Sequence, residues 1–178
     1  MAPHGVDVIL NPSASHFAFG KFEVRKRLVL EGSRAFSTSY VYSNLLGNEA
    51  GRIIYDGGSL IASAGRLLAQ GERFSYRPVE VISAAVDVAA TRMKMTQLAS
   101  YQPDLISGRS AEGSCPFDWL DVPPRPVVLR PAEWEASPQL KEEEFARAIA
   151  LGLFDYLRKS RSHGFVVSLS GGADSSAT

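Results

Sequence analysis

The spacing of apolar and polar residues changes several times along the chain, and each change marks an element. Val6-Asp7-Val8-Ile9-Leu10 is a short apolar, β-branched run that stops at Asn11-Pro12, which predicts a buried strand entering a loop. Between residues 24 and 36, apolar or small residues fall at Val24, Leu28, Gly32, Ala35 and Phe36, while Arg25, Lys26, Arg27, Glu31 and Arg34 take other positions. That spacing predicts a helix with one packed face. Residues 40–44, 52–56, 59–62 and 79–88 are β-rich and bounded by Gly, Asn or Pro, and predict four strands. Gly57-Gly58, Gly65 and Gly71 stand where turns or bulges between them are needed.

The texture then changes. Seven of the ten prolines (Pro103, Pro116, Pro123, Pro124, Pro126, Pro131 and Pro138) lie between residues 101 and 138, with no sustained apolar period. This predicts a connector over residues 99–137, between a unit at 1–98 and another at 138–178. Trp119, Val127, Val128, Leu129 and Trp134 imply that it drapes over a surface, since a solvated linker carries fewer large apolar groups. The next helix has Ser137 as a cap, Pro138 at its first position, Glu142, Glu143 and Glu144 near its positive end, and Arg158, Lys159 and Arg161 near its negative end. Its predicted buried stripe is Phe145, Ala148, Ile149, Gly152, Leu153, Tyr156 and Leu157. Gly164 breaks it, and residues 165–169 read as a strand delivering the chain to Ser170.

Composition excludes several classes. Nineteen basic and nineteen acidic residues in 178 give zero net charge, so no general pull toward nucleic acid or an anionic membrane is expected. Any anion site must be local. A single cysteine, Cys115, cannot form an internal disulfide, and His4, His16 and His163 show no zinc-type spacing. No stretch approaches the ~20 apolar residues of a membrane span, and a reducing, cytoplasmic setting is expected. The first predicted strand lies near residue 1 with nothing before it to cover it, which suggests an internal piece of a longer protein.

The chemistry concentrates in Ser170-Gly171-Gly172-Ala173-Asp174-Ser175-Ser176. Glycines let the backbone approach an anion, consecutive N–H groups form a concavity, and a following helix adds its positive end. Ser170, Ser175 and Ser176 add hydroxyl donors. Asp174 alone would repel phosphate, so it points to a Mg²⁺ between carboxylate and phosphate oxygens. The loop is not a Walker A motif, because no Lys follows at the required spacing. On residues alone, a plain Gly-Gly turn capped by Asp or Ser stays open.

This segment resembles the motif of the ATP pyrophosphatases, or PP-loop enzymes, which cleave ATP between the α and β phosphates. The resemblance implies that Ser168, Leu169, Ser170, Gly171, Gly172, Ala173, Asp174, Ser175 and Ser176 bind ATP and its leaving pyrophosphate. Upstream, residues 7–15, Gly20-Lys21, residues 40–44 and residues 55–59 together resemble the C-terminal part of a nitrilase-type (carbon-nitrogen hydrolase) amidase domain, through about Leu98. An amidase of that kind joined to a PP-loop is the organisation of the glutamine-dependent NAD synthetases.

By that resemblance the fold would be α/β, with the trailing part of a nitrilase-type αββα sandwich before the start of a doubly wound, Rossmann-like synthetase domain. It also implies glutamine, ATP and deamido-NAD as substrates, with Mg²⁺, in a homo-oligomer. Ser15 and Lys21 would contact glutamine, although a capping Ser and a solvated Lys remain open on the residues alone. The Glu, Lys, Cys triad of the amidase would lie upstream of Met1, so no catalytic residue is assigned and the chain alone should be inactive. Cys115 sits in the connector, with no neighbour in sequence to depress its pKa, and reads as an inert thiol. His16 reads as a surface residue beside Ser15, residues 56–59 as a strand bend, and Arg92-Met93-Lys94-Met95 as the exit from the amidase. Two rivals remain: another PP-loop ligase or thiolase, and a non-catalytic nitrilase-like interaction domain.

Overall fold

The computed structural model describes residues 6–49, 51–98, 113, 115–118, 123 and 131–177. Strands β1 (Val8–Ser13), β2 (Ser39–Asn44), β5 (Leu60–Ser63) and β6 (Arg66–Gln70) form a sheet in the order β1-β2-β5-β6. β1 and β2 run parallel, in register from Val8↔Ser39 to Ser13↔Asn44, and are joined by helix α1 (Lys21–Ala35). β5 and β6 complete the sheet in antiparallel fashion. Strands β3 (Leu46–Glu49) and β4 (Ile53–Asp56) pair as a separate hairpin. Helices α2 (Val88–Thr96), α3 (Leu140–Ser160) and α4 (Ala173–Ala177) complete the elements, with a 3₁₀ turn at Glu133–Ala136 before α3. The Pro-rich connector predicted over 99–137 falls largely outside the described residues. Its described end turns Trp134 onto Phe74, with ring centroids 5.8 Å apart.

α1 forms close to its predicted place but presents a different face. Its buried residues are Phe22, Arg25, Val29 and Ser33, spaced by three and four, whereas the predicted face carries Val24 at 62% and Leu28 at 59% exposure. The inner stripe escapes detection because two of its four members are polar. Both find partners inside: the Ser33 hydroxyl donates to the Leu30 carbonyl at 2.8 Å and accepts from the Gly65 N–H at 2.9 Å, and the two terminal nitrogens of Arg25 bond the Ser15 carbonyl and Asp56, leaving its Nε without a partner. The apolar members, with Tyr42, Leu60 and Ala62 from the sheet, make the first core cluster.

β1 does not stop at Asn11-Pro12 but runs on to Ser13, and it is the edge of the sheet rather than a buried strand. Leu10 is 72% exposed. Proline, which has no N–H to offer a ladder, is tolerated on such an edge. Residues 79–88 form no strand: Val79 and Val81 are exposed, and the segment runs irregularly to Asp87, whose carboxylate accepts from the Ala90 N–H at 2.8 Å and caps α2. Residues 165–169 likewise form no strand, and Val166 and Leu169 lie open to solvent. Both runs have strand-like composition, but among the described residues no strand lies alongside to complete a ladder. β3 has a single large apolar residue, Leu46, and β6 only the short run Leu67-Leu68-Ala69, so neither shows a strand's alternation.

α3 also turns an unexpected face inward. Glu144, Ala148, Leu151 and Asp155 are buried, while Phe145 and Tyr156 of the predicted stripe are half exposed. Ser137 accepts from the Gln139 N–H at 3.1 Å, and the helix begins only at Leu140. Ala148 and Leu151 join Phe74 in a second core cluster against Leu46 and Ile54. Asp155 is inside because it is answered on every side. It accepts from the Asn48 N–H at 2.7 Å and pairs with Lys159 at 2.7 Å and Arg158 at 2.5 Å. Gly47, at φ +111°, passes so close that a Cβ there would overlap the Asp155 carboxylate.

Burial pushes the Asp155 carboxyl upward, but the hydrogen bonds from Lys159, the Asn48 N–H and Arg158 outweigh it and hold the group below the ordinary carboxylate range. A carboxylate depressed in the folded state contributes its stability above the unfolded value of about 4 and loses it as pH falls through the lower folded value. We therefore expect Asp155→Asn to cost about 3 kcal/mol at neutral pH, with the gap from wild type closing below about pH 4. Urea unfolding of both proteins across pH measures this, and a gap independent of pH would contradict it.

Candidate functional site

The loop between β1 and α1 carries Ser15 and His16, and Lys21 opens α1; all three lie at the carboxyl ends of the two parallel strands, where open α/β sheets commonly bind ligands. It is pinned at several points. The Ser15 N–H donates to the Asn44 Oδ1 at 2.8 Å, and the Ser15 carbonyl accepts from the Asn44 Nδ2 at 2.9 Å and from Arg25 at 3.1 Å. The Phe17 N–H donates to the Ile54 carbonyl at 2.7 Å. His16 is exposed, and the Lys21 ammonium lies 3.4 and 3.3 Å from its two ring nitrogens. Ser15 in the loop and Lys21 at the start of α1 thus lie at the same end of the sheet.

Behind this loop lies a buried network of charges. Arg25 donates to both oxygens of Asp56, at 2.7 and 2.5 Å, and Arg73 reaches the same carboxylate at 3.1 Å. Arg73 then bonds Glu144 of α3 at 2.6 Å. All four residues are at most 5% exposed. Two guanidiniums against two carboxylates leave no net charge in the interior. The Arg73 guanidinium also faces the rings of Phe22, Phe74 and Trp134, with centroids 4.6, 5.0 and 5.3 Å away. Glu135, 4.0 Å from Arg73, is pushed upward by burial against the opposing pull of Arg73 and Gln70. The predicted bend at residues 56–59 is present, with Gly57 and Gly58 both at positive φ. A Cβ on Gly58 would meet the Phe22 ring at 2.8 Å.

The Ser170–Ser176 segment forms an exposed loop entering α4, with Gly171 at φ +80°. Ser170 Oγ and Ser175 Oγ lie 3.2 Å apart, and the Ser175 and Ser176 hydroxyls donate to the Gly172 carbonyl at 3.2 and 2.9 Å. Asp174 stands in the first turn. The hydrogen bonds of these serines stay within residues 170–176. Ser168 and Leu169 lead in, exposed. Cys115 is exposed, its thiol 3.8 Å from the Pro116 carbonyl. Arg92 pairs with Asp7 at 2.5 Å, tying α2 to the base of β1, and Met95 of the same helix is buried. Among the described residues no group of three His, Cys, Asp or Glu is arranged to hold a metal, and no helix is long and apolar enough to cross a membrane.

No protein-family model matches the chain. Individual proteins do. A putative glutamine-dependent NAD(+) synthetase of Schizosaccharomyces pombe is 36% identical over 187 aligned residues, which take in 100% of this chain and 26% of that protein. The Saccharomyces cerevisiae synthetase is 33% identical over the whole chain and 26% of its own length. Over its whole length the chain is thus similar to glutamine-dependent NAD(+) synthetases. It spans about a quarter of the length of these relatives. Among solved structures, the synthetase of Cytophaga hutchinsonii matches with a TM-score of 0.59 at 40% identity, over 96% of this chain and 21% of that one. The synthetase of Acinetobacter baumannii, solved in complex with ADP, shares the fold with a TM-score of 0.59 at 21% identity.

Sequence reasoning named Ser15 and Lys21 as candidates but passed over Asn44, Arg25, Asp56, Arg73 and Glu144. One signal was available. The inner stripe of α1 runs Phe22, Arg25, Val29, Ser33 at helical spacing, so an Arg on an otherwise core-facing line implies a buried acid elsewhere. Removing one member should expose this dependence. Arg73→Met leaves Glu144 unpaired and Asp56 half paired, and should cost about 3 to 5 kcal/mol. Chemical denaturation of the two proteins measures it, and a loss under about 1 kcal/mol would contradict the network's role.

Proposed function

We propose that this chain is the part of a glutamine-hydrolysing NAD synthetase that carries the glutamine-contacting loop of the amidase and the pyrophosphate loop of the synthetase. The observation that carries the reading is similarity to such synthetases along the entire chain, through both loops. Residues 1–98 would be the trailing part of a nitrilase-type αββα amidase, 99–137 the connector, and 138–178 the opening of a doubly wound synthetase domain. The parallel β1–α1–β2 unit supports an α/β amidase layer. Action without nucleic acid or membrane accords with the neutral charge balance, while a cytoplasmic homo-oligomer is what the family resemblance implies.

In this reading the carboxylate of deamido-NAD attacks the α-phosphorus of ATP, forming an acyl adenylate and releasing pyrophosphate. Ammonia from the glutamine amide then displaces AMP and leaves the carboxamide of NAD. The triad that frees the ammonia is not assigned to any residue of this chain. Ser15 would hydrogen-bond glutamine, and the Lys21 ammonium would offset its carboxylate. Ser168, Leu169, Ser170, Gly171, Gly172, Ala173, Ser175 and Ser176 would hold the ATP phosphates through main-chain N–H groups and hydroxyls.

Asp174, next to Ser175 in the first turn of α4, supplies a carboxylate of the kind that fits Mg²⁺, which takes one or two carboxylates along with substrate phosphates. Mg²⁺ bound there would neutralise charge on the departing pyrophosphate. Asp174→Ala, in a full-length synthetase carrying this segment, should slow ATP cleavage at least ~100-fold. Ser175→Ala should be milder, because main-chain donors remain. The assay is deamido-NAD-dependent pyrophosphate release with ammonium supplied directly. Wild-type rates for Asp174→Ala at saturating Mg²⁺ would sink the assignment.

A further inference from the structure

The loop bearing Ser15 is held by a side chain that no part of the functional reading uses. Asn44 is the last residue of β2, and the parallel register sets it beside Ser13, the last residue of β1. The two strands end together, so the Asn44 amide reaches the chain just where it leaves the sheet. There it closes a two-point clamp, accepting from the Ser15 N–H at 2.8 Å and donating to the Ser15 carbonyl at 2.9 Å. An amide side chain imitates a neighbouring strand's main chain in this pairing, and carries the hydrogen bonding two residues past Ser13, to Ser15.

The clamp is braced from behind. The Leu45 N–H, next in sequence, donates to the Ser13 carbonyl at 3.0 Å, and the Ser15 carbonyl takes a second bond from Arg25, itself fixed by Asp56. Both main-chain groups of Ser15 are therefore spoken for. Among the described residues its hydroxyl makes no hydrogen bond, which leaves it free for a ligand at the carboxyl end of the sheet.

We propose that Asn44 is a positioning residue for glutamine, acting through Ser15. It fixes the Ser15 main chain so that the hydroxyl is presented at one place, and the ordering of that loop is complete before glutamine arrives. This rests on the reading of the Ser15 loop as the glutamine site. Nothing in the proposal touches the ATP loop, so its effect is confined to glutamine-fed chemistry.

The test uses a full-length synthetase carrying this segment, assayed for NAD formation with glutamine and, separately, with ammonium. Asn44→Ala removes both bonds. Asn44→Asp keeps the volume and one acceptor but turns an oxygen toward the Ser15 carbonyl, so it serves if the smaller side chain impairs folding. In both, KM for glutamine should rise about tenfold or more, while the ammonium-fed rate stays within about twofold of wild type. Ser15→Ala, measured alongside, should raise the same KM.

A merely structural Asn44 would lower the two rates together, and that result overturns the inference. Unchanged glutamine KM in both Asn44 variants, with Ser15→Ala raising it, also overturns the inference and leaves the glutamine site standing. Unchanged KM in Ser15→Ala overturns the underlying reading instead.

Discussion

The two core clusters of this chain meet at a single carboxylate. Asp56 receives Arg25 from the helix that covers the main sheet and Arg73 from the stretch beyond β6, and Arg73 passes on to Glu144 of α3. Apolar contacts hold each cluster together, but the ion pairs fix how the clusters sit against one another, because a buried charge tolerates only one set of partners. Losing the pairing would strand a charge in an interior where water cannot reach it, a far larger penalty than a lost methylene contact. The aromatic rings around Arg73 complete the enclosure.

This arrangement gives the two candidate loops a common frame. Ser15, at one end, is bonded by Arg25, and Arg25 is held by Asp56. Glu144, at the other, lies in the second turn of the helix whose chain continues to Ser170–Ser176. The loop proposed to meet glutamine and the helix leading to the loop proposed to meet ATP are thus connected through three buried ion pairs, Arg25–Asp56, Asp56–Arg73 and Arg73–Glu144.

The sequence revealed elements better than faces. β2, β4 and β5 were legible from short β-branched or aromatic runs, and α1 and α3 from their periods, because those signals are local. The inner faces were not, since Arg25 and Ser33 of α1 and Glu144 and Asp155 of α3 take core positions that a hydrophobicity pattern assigns to solvent. Residues 79–88 and 165–169 erred the other way. Their side chains suit a strand, but a strand also needs a neighbour's N–H and C=O groups, and that requirement is not written in the run itself. Of the candidate site, the Gly-rich loop and the pair Ser15 and Lys21 were legible through motif resemblance. Asn44 was not, because its importance arises from the parallel register that places it against residues 29 positions earlier.

The functional account is tested most directly by following nitrogen. In a full-length synthetase carrying this segment, glutamine labelled with ¹⁵N in its amide is supplied with ATP, Mg²⁺ and deamido-NAD, and the dinucleotide product is analysed by mass spectrometry. The account predicts ¹⁵N in the carboxamide of NAD, with AMP and pyrophosphate formed in step with it. Glutamine hydrolysis that leaves the dinucleotide unlabelled, or ATP cleaved to ADP and phosphate, would contradict it.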